Sequence, residues 1–135
     1  MNFFINSPAY YTQENGVIDE IYDFCKTITY SIDVRNYTNA IDTIGITPII
    51  APRDALEKMW SEEKRVSLPY RMASISLHID YDTYCSADIE DKKKMILDNI
   101  FESLRIIKTK LHKDFDLIRL QNDIMERLYA QGTVP

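Results

Sequence analysis

RMASISLHIDYDTYCSADIED, residues 71–91, is the stretch on which the fold turns. Ala73, Ile75, Leu77, Ile79 and Tyr81 alternate with Ser74, Ser76, His78, Asp80 and Asp82. A period of two puts the apolar set on one face of a strand and the polar set on the other. One face is then buried and the other meets water or a partner. Ser86 or Asp88 caps a long helix directly afterwards, and Asp88, Glu90 and Asp91 place negative charge at its positive end. The rest of the chain reads as material packed around this strand-to-helix unit.

Toward the C-terminus, Ile96, Ile100, Leu104, Ile107 and Leu111 form the helix's apolar stripe, widened by Leu97 and Phe101. Lys108, Lys110 and Lys113 sit where cations suit a helix end. Asp116 is an N-cap for a last helix. Phe115 and Leu120 occupy the two positions of a hydrophobic staple, Leu117, Leu120, Ile124 and Leu128 make its stripe, and Gly132 ends it.

Toward the N-terminus, Val66 to Tyr70 leads into the central strand, preceded by a short helix opened at Pro52-Arg53-Asp54. Asp54 and Glu57 form its capping box, Leu56, Met59 and Trp60 its apolar side, and Glu62, Glu63, Lys64 and Arg65 its charged end. Ile41 to Ile50 is a β-branched strand broken by Gly45 and Pro48, while Val34 to Asn39 fits a loop or a strand. Val17, Ile21, Phe24, Cys25, Ile28 and Ile32 mark an amphipathic first helix, beginning at Thr12 or after Asn15-Gly16. Asn2 to Asn6 is a short buried strand closed by Ser7-Pro8, with Ala9 to Gln13 a connecting loop. The order is strand, helix, strand, short helix, strand, helix, helix. Helices bunched in this way define an α+β fold: a small mixed or antiparallel sheet of about three to four strands with helices packed on one face, in one domain over 1–135.

Composition bounds the function classes. Hydrophobic residues are 45% and charged residues 27%, and only 3 Gly and 5 Pro leave little room for linkers. The net charge of −5 repels phosphate backbones, which disfavours nucleic acid and favours a basic partner. Phe3, Phe4 and Ile5 are too short an apolar run for a signal peptide, and no stretch approaches the ~20 apolar residues of a membrane span. Cys25 and Cys85 then read as free thiols of a cytoplasmic protein, since a disulfide requires a proximity that spacing does not supply.

Catalytic signatures are weak. His78, Asp80 and Asp82 share a strand face and carry metal-ligand chemistry, but along an extended strand they span about 13 Å, too far to converge on one ion. Cys25 lies on a helix's apolar stripe, and Cys85 has no adjacent base to lower its pKa. No Gly-rich phosphate loop, nucleophile elbow, His-Glu-x-x-His or Cys-x-x-Cys is present, so no cofactor is expected.

Charge placement is more informative. Glu14, Asp19, Glu20, Asp23, Asp33 and Asp42 face only Lys26 and Arg35 in the first third, and Asp80, Asp82, Asp88, Glu90 and Asp91 have no base among them. Capping and solubility account for Asp88, Glu90 and Asp91. Acids in mid-strand are disfavoured unless that face has a use, which singles out Asp80 and Asp82 beside Tyr81 and Tyr84. Tyr10, Tyr11, Tyr30, Tyr37 and Tyr70 fit a binding surface or the rim of a core equally.

The layout also resembles a known family. Asn2-Phe3-Phe4-Ile5-Asn6-Ser7-Pro8, a long helix closing on Lys110-Leu111, and Asp114-Phe115-Asp116 opening a last helix are similar to the immunity protein 44 family of bacterial polymorphic toxin systems. The resemblance implies a small cytoplasmic protein, not an enzyme, that binds and neutralises a cognate toxin. An acidic surface would suit a basic toxin. The contact surface expected is Asp19, Asp23, His78, Asp80, Asp82 and Tyr84. Two alternatives stay open: a small enzyme or ligand-binding domain with Arg53, Arg71 or His78 converging between sheet and helices, and a homo-oligomer pairing through an edge strand.

Overall fold

The computed structural model describes residues 2–6, 9–10, 17–52 and 61–135, with backbone alone at 9–10 and 17–19. Strands β1 (Phe3–Ile5), β3 (Thr43–Ile46), β6 (Met72–Ser76) and β5 (Glu63–Ser67) form one sheet in the order β1-β3-β6-β5. A three-stranded sheet repeats the order as β2 (Ala9–Tyr10), β4 (Ile49–Ala51) and β7 (His78–Asp80). These are continuations of the same strands. Ile44 pairs Ala73 and Ile49 pairs His78 at one constant offset. The Thr47 and Ile49 N–H groups donate to the Ile75 and Leu77 carbonyls, each at 2.9 Å, carrying the ladder past Pro48, which has no N–H to give. Pairing is parallel among β1, β3 and β6 and antiparallel between β5 and β6, so the sheet is mixed.

Helices α1 (Val17–Thr29), α2 (Tyr81–Ser86), α3 (Ile89–Leu111) and α4 (Leu117–Ala130) complete the described fold. Pleating sends Phe3, Ile44, Ile46, Ala73 and Ile75 to one face, all at most 1% exposed. There they meet Ile21 and Ile28 of α1, Ile96, Ile100, Leu104 and Ile107 of α3, and Ile124 and Leu128 of α4 in one core cluster. Each such side chain contributes about 1.5–3 kcal/mol by leaving water. Phe4, Thr43, Gly45, Ser74 and Met72 fall on the opposite face and are only part-buried or exposed. The helices therefore cover one face of the sheet, and the fold is α+β as the periodicities imply.

The helix ends follow their local chemistry. The Asp88 carboxylate accepts from the Asp91 N–H at 2.8 Å, so Asp88 and not Ser86 is the cap of α3. Asp116 caps α4, and its staple partners Phe115 and Leu120 are 0% and 1% exposed. At the far end Gly132 takes φ +66°, a conformation glycine adopts freely. The Gly132 and Thr133 N–H groups bond back to the Tyr129 and Leu128 carbonyls, a Schellman closure.

Four expectations change. The central strand ends at Asp80, and Tyr81 and Asp82 lie in α2, because Asp80 offers its carboxylate to the Thr83 N–H and starts a helix there. Glu63 to Arg65 belong to strand β5, not to a helix end; Pro52 carries no helix, and residues 53–60 of that expected helix lie outside the described residues. Ala9 and Tyr10 pair with Ile49 and Ile50 as strand β2, where a loop is expected. Val34–Asn36 is one turn of 3₁₀-helix capped by Asp33. Thr12, Asn15 and Gly16 also lie outside the described residues.

Both cysteines are free thiols. Cys25 is in the core and burial pushes its thiol up to about 12, whereas Cys85 is only half-buried. A thiolate-selective reagent at neutral pH is expected to label Cys85 first and to reach Cys25 only after denaturation. Mass spectrometry of a labelling time course checks this; equal rates at the two sites would contradict it.

Candidate partner-binding groove

Strand β5 stops pairing at Glu63, opposite Ser76, and the central strand runs on past it as β7. Beyond that point β7 has β4 on one side and, among the described residues, no strand on the other. Because the Leu77 carbonyl accepts from Ile49 on the β4 side, the neighbouring His78 N–H turns outward. The Glu62 carboxylate takes that N–H at 2.9 Å, so an acid terminates the ladder where a further strand would otherwise start.

Described residues of β7 and of helix α3 line a groove of about 370 Å³. Leu77, Ile79 and Met95 give it an apolar floor, and His78, Asp80, Asp98 and Glu102 stand around it with Asn99. His78 is part-buried, its Nε2 donating to the Ala51 carbonyl at 2.6 Å, which fixes Nε2 as the protonated nitrogen. Asp80 is exposed; its Oδ2 accepts from both the N–H and the Oγ1 of Thr83. Asp82 is exposed in the first turn of α2. Glu102 pairs with Arg105 at 2.8 Å, and Asp98 has no ion pair among the described residues.

Of the six expected contact residues, the five whose side chains are described do not all lie at one surface. His78 and Asp80 line the groove, and Asp82, two residues on in the first turn of α2, is not among its lining residues. Tyr84 is 4% exposed, with the Lys92 ammonium 5.5 Å from its ring, so it packs inward and offers a partner no surface. Asp23 is exposed on α1, which packs on β1, two strands from β6 in the sheet order. Asp19 is on the same helix and its side chain lies outside the described residues. The tyrosines divide as well: Tyr37 is buried, and Tyr30 and Tyr70 are exposed.

Sequence reasoning missed Asp98, Asn99 and Glu102. Their signal was the helical spacing of the acids Asp91, Asp98 and Glu102, with Met95 on the same line, beside the apolar stripe on α3. It also reversed the meaning of Asp80. An acid unexplained in mid-strand turns out to be a helix cap, and Asp82 an acid at a helix start.

The converging pocket of the enzyme alternative is not formed by its described members. Arg71 precedes β6 and His78 opens β7, at opposite ends of one strand. Arg71 is held bidentate by Asp42 at 2.9 and 3.0 Å, and Arg53 lies outside the described residues. At that end a cleft of about 530 Å³ contains Asn2, Asp33, Arg35 and Asp42. Its charges are matched internally: hydrogen bonds from Arg35 and Asn2 hold the Asp33 carboxyl well below the usual range, and Arg71 lowers Asp42. Among the described residues no three His, Cys, Asp or Glu gather as metal ligands, and no helix is long and apolar enough to cross a membrane.

Helices on one face of a mixed sheet, with an acid-rimmed groove at a sheet edge, define a small α+β protein whose most distinctive polar feature is at its surface. The chain belongs to the immunity protein 44 family, whose sequence model matches residues 1–129. No curated protein and no solved structure matches it. Membership in an immunity family implies a toxin as the partner in general terms.

Proposed function

We propose that this protein binds and neutralises a cognate toxin by occlusion, in the cytoplasm and without chemistry of its own, through the surface around the β7–α3 groove. Family membership carries the reading. What supports the location is the set of carboxylates from separate elements that line one groove: Asp80, the cap of α2, and Asp98 and Glu102 from α3. Such a surface accelerates encounter with a basic partner and orients it before contact.

Co-expression with the toxin encoded beside the gene tests the proposal. Growth is expected to be rescued, and the two proteins are expected to co-elute on gel filtration. Changing Asp98 and Glu102 together to lysine is expected to weaken the complex about tenfold or more, mainly through slower association at low salt. No rescue and no complex would sink the reading; rescue unaffected by the double reversal would move the contact surface elsewhere.

A further inference from the structure

The hairpin of β5 and β6 ends in a turn that is tied down and left uncovered. Ser67 pairs Met72, and the Arg71 N–H donates to the Leu68 carbonyl at 3.1 Å, closing a turn over Leu68-Pro69-Tyr70-Arg71. Proline in second place pre-sets that turn, and the Tyr70 N–H adds a bond to Ser67 Oγ at 3.4 Å. Arg71, in fourth place, takes φ +53°, the left-handed region that favours glycine. What an arginine supplies there is a tether. Besides its bidentate pair with Asp42, it donates from Nη2 to the Asn39 carbonyl at 2.9 Å, and its own carbonyl accepts from the Asp42 and Thr43 N–H groups. The turn is therefore anchored to the chain entering β3. On it Leu68 and Tyr70 are 58% and 73% exposed, with Pro69 exposed between them.

We infer that this hairpin tip is a second contact with the toxin, in which Leu68 and Tyr70 enter an apolar pocket that has an acidic rim. The inference rests on the toxin-binding reading and adds an anchor at the other end of the central strand from the groove. Apolar side chains held on a rigid turn lose little freedom on binding, and tyrosine brings a large contact area with few torsions. Charge specifies the rim. Lys64 to Ile79 contains no acid, although the chain's net charge is −5. Lys64 and Arg65 are exposed on β5 beside the tip, the Arg65 guanidinium 6.0 Å from the centre of the Tyr70 ring. Arg71 is matched by Asp42, so Lys64 and Arg65 are the charges that the tip presents. A protein pocket suits this better than a lipid surface, because two flanking bases attract an anionic bilayer weakly and the acid excess of the remaining chain opposes it.

The probe is the toxin encoded beside the gene, with affinity measured by calorimetry. Leu68→Ser with Tyr70→Ser, both exposed, is expected to leave the urea midpoint unchanged and to weaken the complex at least tenfold. Lys64→Glu with Arg65→Glu is expected to weaken it about tenfold, mostly through slower association. Tyr129→Ser, at an equally exposed ring on α4, is expected to change nothing. Arg71→Gly tests the positioning role, since it keeps the turn's backbone conformation and removes the tether. Faster ¹⁵N relaxation-detected motion at Leu68 and Tyr70 is expected, with severalfold weaker binding although both side chains remain; unchanged motion and affinity would overturn that role. A toxin complex insensitive to the Leu68 and Tyr70 changes, or equally sensitive to Tyr129→Ser, overturns the contact and spares the immunity reading. Absence of any complex with the unaltered protein defeats both. Sedimentation with phosphatidylserine–phosphatidylcholine vesicles that depends on Leu68 and Tyr70, where toxin binding does not, would give the tip to a membrane instead.

Discussion

Replacing Phe115 with alanine is expected to lower the free energy of unfolding by about 3–5 kcal/mol. Phe115 is fully buried at the junction of α3 and α4, where it staples onto Leu120. Removing the ring forfeits its transfer from water and opens a cavity at a turn whose backbone is held by hydrogen bonds at Phe115 and Asp116. Lys108 Nζ donates to the Phe115 carbonyl at 2.7 Å, and the Asp116 N–H donates to the Tyr37 carbonyl at 2.8 Å. Neither bond involves the ring, so the turn keeps its path and cannot readily collapse into the void. The loss should therefore report packing alone. Urea unfolding followed by circular dichroism measures it. A cost below about 1 kcal/mol would mean that α4 does not dock through this ring.

The second large effect is expected at Tyr37, where a loop is clasped to α4. Its ring is 8% exposed with the Arg119 guanidinium 4.7 Å from its centre, and its hydroxyl donates to Asp123 Oδ2 at 2.5 Å. Burial, and then the bond to Asp123, push the phenol from its ordinary 10.0 up to about 12. The folded state therefore holds this proton more tightly than the unfolded state does. The resulting stability is fully present below about pH 10 and is lost as pH rises through about 12. Tyr37→Phe is expected to cost about 1–2 kcal/mol at neutral pH, since it deletes a hydrogen bond to a carboxylate. Its stability should also fall less steeply than the wild type's across that alkaline window. Other tyrosines and lysines titrate there in both proteins, so the difference between the two urea curves isolates Tyr37. Parallel curves would exclude the clasp.

Both residues help anchor α4, whose docking was readable in advance only in part. Phe115, Asp116, Leu120 and Gly132 mark the helix because staple, cap and Schellman closure are satisfied within a few residues of chain. The same holds for α3, with Asp88 as cap and Ile96, Ile100, Leu104 and Ile107 at helical spacing. It holds for β6, whose alternation is the pattern of a strand with one face in the core. Nothing in that local chemistry shows that the Tyr37 hydroxyl meets Asp123. The two are far apart in sequence, and only the packing of α1, α3 and α4 against one face of the sheet brings them together.

Strand β5 was hidden for a different reason. An exposed edge strand tolerates Glu63, Lys64 and Arg65, and charge there discourages pairing with a further chain, so the segment has no apolar alternation to show. Helix α2 was hidden because Asp80-Tyr81-Asp82 continues the strand's alternation, while the Asp80 carboxylate is already capping a turn. A cap and a strand residue can be the same amino acid; the chain around them decides.

By itself, then, the sequence determined the α+β class, the long helices and their caps, and the core stripe of each element, because these depend on periodicity and contacts close in the chain. Tertiary structure alone decided the groove. Asp80 shares a groove with Asp98 and Glu102 only because β5 ends opposite Ser76, so that among the described residues no strand pairs with β7 on the side where α3 lies. Tyr84 turned inward and Asp23 is exposed on α1, and neither lines that groove. Strand order and helix placement are set by burial summed over the whole core, and no single stretch of chain encodes that sum.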